Sequence, residues 1–138
     1  MIPSLALQGA VRQRLLSDPV ISLLVAPRNI RAGDMRPTDF PAIVLSPTRT
    51  EILGRAAAGQ IVAEVQAMLH VWVINDGSET GENIAASAFT ALLDAPEAEG
   101  FEIDRWERPS LVWVDQAASV GGASHGAIAL RATIRWRE

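Results

Sequence analysis

Between Ile61 and Ile74 the chain alternates without a break, with Ile61, Ala63, Val65, Ala67, Leu69, Val71 and Val73 on one parity and Val62, Glu64, Gln66, Met68, His70, Trp72 and Ile74 on the other. Successive side chains of a strand point to opposite faces, whereas a helix repeats about every 3.6 residues, so this pattern is that of a long β-strand and not of an amphipathic helix. One of its faces is wholly apolar and must be buried. The other mixes acid, amide, imidazole and indole, and belongs on a sheet face that is not sealed inside a core.

The C-terminal segment repeats the pattern, with Ile128, Leu130, Ala132, Ile134 and Trp136 inward and Ala129, Arg131, Thr133, Arg135 and Arg137 outward. Ala42 to Ser46, fenced by Pro41 and Pro47, predicts a short strand, because proline cannot donate to a ladder. Phe101 to Val114 predicts a strand interrupted at Arg108-Pro109. Three helices complete the set. Ser4 is the expected N-cap of the first, which carries Leu7, Val11 and Leu15 at helical spacing. Asp18-Pro19 opens a short second helix through Val20, Ile21, Leu23 and Leu24. The third follows the turn Asn75-Asp76-Gly77-Ser78, with Asp76, Ser78, Glu79 or Thr80 at its start; Ile84, Ala88, Phe89, Leu92 and Leu93 form its stripe, and Asp94-Ala95-Pro96 stops it.

Three segments read as irregular. Arg28 to Pro41 has the proline, glycine and charge of an ordered excursion, while Thr48 to Gln60 and Gln116 to Gly126 are loose and rich in small residues. Connections of that length are commonly functional. The predicted order is ααββαββ, an α+β fold with a largely antiparallel sheet of about four strands and helices on one face. At 138 residues, 49% apolar, the chain has the size of a single domain spanning residues 1–138.

Composition also removes chemistry. There is no cysteine, tyrosine or lysine, since all twelve basic residues are arginine, and thiolate, phenolate and Schiff-base mechanisms go with them. A formal charge of −4 argues against a protein that coats nucleic acid. The apolar N-terminus lacks a basic region, and Gln8, Arg12, Gln13 and Arg14 interrupt it, so a signal peptide is not expected. No apolar run approaches the roughly 20 residues of a membrane span, and the expected compartment is the cytoplasm.

Candidate sites are few. Ser124-His125 cannot form a nucleophile and base pair, because neighbouring strand residues point apart. His70 has no second histidine at a ligand-like spacing. Gly121-Gly122 belongs to neither a P-loop nor a dinucleotide fingerprint. Asp76, Glu79 and Glu82 are explained by a helix start, where acids complement the macrodipole. No catalytic residue, metal ligand or cofactor site is expected. Surfaces remain. Trp72 on the mixed face either meets a partner or is covered by another strand or the termini. Arg131, Arg135 and Arg137 line the outward side of the last strand, where arginine forks suit carboxylates across an interface or simply face water. Around Arg49, Glu51 and Arg55, contact with a partner or a lumen competes equally with simple disorder.

Several stretches, taken together, resemble a known family: Leu7-Gln8-Gly9-Ala10-Val11-Arg12 onward to Val20, Pro41-Ala42-Ile43-Val44-Leu45, Leu69-His70-Val71-Trp72-Val73, the helix from Ile84 to Ala95, and Gly126 to Arg135. They are similar to the tail-completion, or tail-terminator, proteins of long-tailed phages and gene transfer agents. The resemblance implies a non-enzymatic subunit that forms a hexameric ring on the tail tube, ends its polymerisation and joins it to the head. The implied partners are further copies of itself, the tail tube protein and a head-tail connector, with DNA passing through unbound; no membrane is involved. It also implies assembly in the host cytoplasm and a final place at the tail-neck junction of the particle.

A closed ring needs a heterologous interface, and Glu64, Trp72, Arg131 and Arg135 on the mixed sheet face are expected at or near it. The loops holding Arg49, Glu51, Arg55 and His125 are expected to touch tube or neck proteins. Six copies at −4 each would carry −24, an acidic bore that would not grip DNA. Two other readings stand beside this one: a different head-tail connector, such as a stopper or adaptor, and a small non-enzymatic ligand-binding domain.

Overall fold

The computed structural model describes residues 1–33, 37–74, 79–114 and 122–138. Helices α1 (Pro3–Leu16) and α2 (Pro19–Leu24) lead into a short strand β1 (Ile30–Ala32) and two long strands, β2 (Ala42–Arg55) and β3 (Ile61–Ile74). Helix α3 (Thr80–Ala91) follows, then β4 (Glu102–Trp106), β5 (Ser110–Val114) and β6 (Ala123–Trp136). The fold is α+β, as its alternation predicts.

The helix starts show which local rules dominate. Asp18 caps α2, its Oδ1 accepting from the Val20 and Ile21 amides, each at 3.0 Å. Helix α1 instead begins at Pro3 with Ile2 as N-cap, so Ser4 lies inside it. Proline at the first position loses no hydrogen bond, because that amide has no intrahelical partner. Helix α3 starts after Glu79 without a side-chain cap, and the expected turn at 75–78 lies outside the described residues. Its buried stripe is Ile84, Ala85, Ala88 and Leu92; Phe89 is half-buried and Leu93 exposed.

The sheet has six strands rather than four, and it is mixed. Its order is β1-β2-β3-β6-β4, with β5 also on β6. The excursion from Arg28 contains β1, which pairs parallel with Ile43 to Leu45 of β2; the other pairings are antiparallel. Strands β3 and β6 stay in register from Ile61 against Trp136 to Ile74 against Ala123. Along the other edge of β6, β4 and β5 follow one another, and Arg108-Pro109 falls at their junction as expected.

The larger correction concerns β2. It does not stop at Pro47 but runs on to Arg55, so the expected loop from Thr48 is one side of a hairpin arm closed by a turn at Ala57–Gly59. Pro47 is tolerated because, among the described residues, β2 has no outer neighbour there and the register shifts between Pro47 and Arg49. A second shift lies between Ile52 and Gly54, where Gly54 has φ 137°, a value that side-chain-bearing residues rarely adopt. Likewise β6 begins at Ala123, so the expected loose segment ends earlier than Gly126, and 115–121 lie outside the described residues.

One core lies between helices and sheet. Leu7, Val11 and Leu15 of α1, Ile84 and Ala88 of α3 and the C-cap residue Leu92 join the apolar parities of β3 and β6 in a single cluster. Burying each large aliphatic side chain contributes about 1.5–3 kcal/mol, so this face anchors the sheet. Arg14 ties the helices together, donating to the Ala91 and Ala95 carbonyls at 3.0 and 2.9 Å, and the Trp106 indole donates to the Leu92 carbonyl at 2.9 Å. Among the described residues, the opposite sheet face carries no helix.

Candidate assembly surface

That open face is set by register. Trp72 lies opposite His125, His70 opposite Ala127, Gln66 opposite Arg131, and Glu64 opposite Thr133 on β3 and β6. Paired residues share a face, so the mixed parity of β3 and the outward parity of β6 form one continuous surface. It has two unlike ends.

At one end the rings cluster. His70 Nδ1 lies 2.7 Å from His125 Nε2, so one nitrogen donates and the other accepts. The Trp72 ring stacks on His125 with centroids 3.9 Å apart and planes at 8°. Burial lowers the affinity of His70 for a proton, and burial with the neighbouring His70 takes His125 from the usual 6.5 down to about 4. Around this cluster Ile74, Val112 and Val114 are exposed.

At the other end the face is a charge network. Arg131 Nη2 reaches both Glu64 oxygens at 3.0 and 3.1 Å, and Gln66 donates to Glu64 at 3.1 Å. Gln66, then Arg131, hold the Glu64 carboxyl below the usual range. Arg135 binds Asp104 through a two-pronged fork at 2.9 and 3.0 Å and donates to Gln60 at 2.6 Å. Planar guanidinium matches carboxylate in this way where lysine would not. These pairs are partly exposed, so they orient the surface more than they stabilise the fold.

The structure therefore brings Glu64, Arg131 and Arg135 to one end of the face and Trp72 to the other. Trp72 is half-buried beneath the His125 contact, so a strand of its own chain covers it in part. His125 is a strand residue of that cluster and not part of a loop. Arg49, Glu51 and Arg55 also lie on a strand, the exposed arm of β2: Arg49 pairs with Glu51 at 2.9 Å, and Arg55 donates to the Gly59 carbonyl at 2.9 Å near the arm's tip. Sequence alone did not single out Asp104, Gln60 and Glu107: the pairing of β4 with β6 brings Asp104 to Arg135 and Glu107 to Arg131, and the pairing of β3 with β6 brings Gln60 to Arg135. The acidic pattern Glu102, Asp104, Glu107 was the available signal. Among the described residues, no three His, Asp or Glu converge as metal ligands, and no helix is long and apolar enough to cross a membrane.

This helix-backed sheet has a counterpart among solved structures. Over 94% of this chain and 95% of the other, it is similar to a chain from the virion of a native gene transfer agent particle, with a TM-score of 0.66 and 20% sequence identity. The family of the tail completion protein gp17 matches residues 9–135, and the chain belongs to that family. A search of curated proteins returns no match.

Proposed function

We propose that this chain is a non-enzymatic structural protein of a phage-type tail, which assembles as a hexameric ring on the tail tube, ends tube growth and joins the tail to the head. Membership of the tail-completion family carries this reading. The open sheet face supports it: a surface with an exposed apolar end and an ordered charged end suits contact with other subunits better than it suits chemistry.

In this account Glu64, Arg131 and Arg135 hold the face flat near the contact between copies, and Trp72 lies on the same face. The arm carrying Arg49, Glu51 and Arg55 is exposed from Pro47 to Arg55, which supports a contact of its tip with the tube protein or the connector. DNA passes through the ring without being gripped, as a chain of formal charge −4 favours. The protein is made in the host cytoplasm and ends at the tail-neck junction. Electron microscopy of the purified chain tests the ring directly: six-fold particles with a central hole are expected, and a chain that stays monomeric at every concentration contradicts the reading.

A further inference from the structure

Both edges of the sheet are open at the same height. Beyond Pro47, β2 has β3 on one side and no strand on the other, and β4 has β6 on one side and no strand on the other, among the described residues. An unpaired edge with exposed apolar residues is a template for another strand, and Ile52 and Leu53 are 59% and 53% exposed on the arm.

The rows that cross the sheet connect complementary ends. Glu51 pairs with Glu64, Glu64 with Thr133 and Thr133 with Arg105, so an acid on one edge lies level with an arginine on the other. In the next row Ile52, Ala63, Ile134 and Ile103 align, with an isoleucine at each edge. Arg49 pairs with Gln66 and Gln66 with Arg131, whose carbonyl accepts from the Glu107 amide at 3.0 Å, which places an arginine level with an acid. Strand directions fit as well. Counting antiparallel steps from β2 through β3 and β6 to β4, the two edge strands run oppositely, so rotating one copy beside another sets them antiparallel.

We propose that neighbouring copies join edge to edge, with β2 of one (Thr48 to Arg55) against β4 of the next (Glu102 to Trp106), so that Glu51 meets Arg105, Ile52 meets Ile103 and Arg49 meets Glu107. This rests on the ring reading and specifies its contact. Repetition closes the sheets into one barrel wall without free edges at this level. The exposed pairs Arg49–Glu51 and Arg105–Glu107, at 2.9 and 3.6 Å within each copy, carry their charges in opposite order and can exchange partners across the junction. The other end of the sheet is a poorer match. There β1 steps the edge outward by one strand, about 4.8 Å, and Arg12 occupies the Ile30 carbonyl at 2.7 Å.

Because the chain has no cysteine, a Glu51→Cys/Arg105→Cys double variant gives a clean test. On oxidation it is expected to form a disulfide-linked ladder in denaturing gels, which neither single variant forms beyond a dimer. Separately, Arg105→Glu is expected to raise the concentration at which assembly is half complete by about tenfold or more, and adding Glu51→Arg is expected to restore it. A wild-type chain that assembles while the double variant gives no ladder and the charge reversals change nothing overturns the edge contact alone. A wild-type chain that never assembles overturns the ring reading as well.

Discussion

His70 and His125, fifty-five positions apart, share a 2.7 Å contact between ring nitrogens, and Trp72 stacks on the second of them. The accepting ring must be neutral for this arrangement, and both rings are shifted towards the neutral form, His125 to about 4. A histidine with a lowered folded pKa binds fewer protons than in the unfolded chain. Stability is then complete above the unfolded value of 6.5 and falls as pH drops towards 4. Discounted for partial exposure, the loss is about 1–2 kcal/mol. Urea unfolding of the wild type and of His125→Gln between these pH values should show the dependence in the first and a smaller one in the second. Identical slopes would contradict it.

Gly81, in the first turn of α3, faces Val73 across the core, and a Cβ there would lie 2.8 Å from Val73 Cγ2. Alanine improves helix propensity by about 1 kcal/mol at most, less near an end. Overpacking costs about 1–3 kcal/mol, so the clash wins. Gly81→Ala is expected to lower the unfolding midpoint, and Gly81→Ala/Val73→Ala to show a favourable coupling; an unchanged midpoint in the single variant would refute the close approach.

Arg14 donates to the Ala91 and Ala95 carbonyls from α1, at the end of α3 where carbonyls lack helical partners and the dipole favours a cation. Arg14→Ala should cost about 1–3 kcal/mol, and Arg14→Lys should recover only part, because a single ammonium does not reproduce the fork. Thermal unfolding of the three proteins decides this, and full recovery by lysine would count against it.

Arg135 is the brace that holds β4 to the hairpin, through Asp104 and Gln60. Arg135→Gln should change global stability little, since the fork is partly exposed. Locally it should release β4, with amide exchange accelerating over 102–106 and unchanged in β3. Uniform acceleration would mean that the fork is not specific to β4.

The alternating patterns made most of this architecture legible. Ile61 to Ile74 and Ile128 to Trp136 bury the expected parities, and Asp18-Pro19 opens a helix as expected. What escaped depends on pairing partners. Pro47 reads as a strand end only if the strand has neighbours on both sides; on an outer edge with a register shift it is permitted, and the β2 arm with Arg49, Glu51 and Arg55 was lost to a loop. Ile30 to Ala32 is too short to show a period. His125 reads as a glycine-rich loop residue until the full-length register of β6 with β3 places it on Trp72. Residues that meet through long-range register, Arg135 with Asp104 above all, leave no local trace of their pairing, only the acidic run of Glu102, Asp104 and Glu107.

The proposed role of the chain is to stop tail growth. The most direct measurement is tail length, by electron microscopy, in particles assembled without it and again after it is supplied in trans. Overlong tails of variable length without the chain, and uniform tails once it is restored, are the predicted result. Tails of normal, uniform length in its absence would contradict the account.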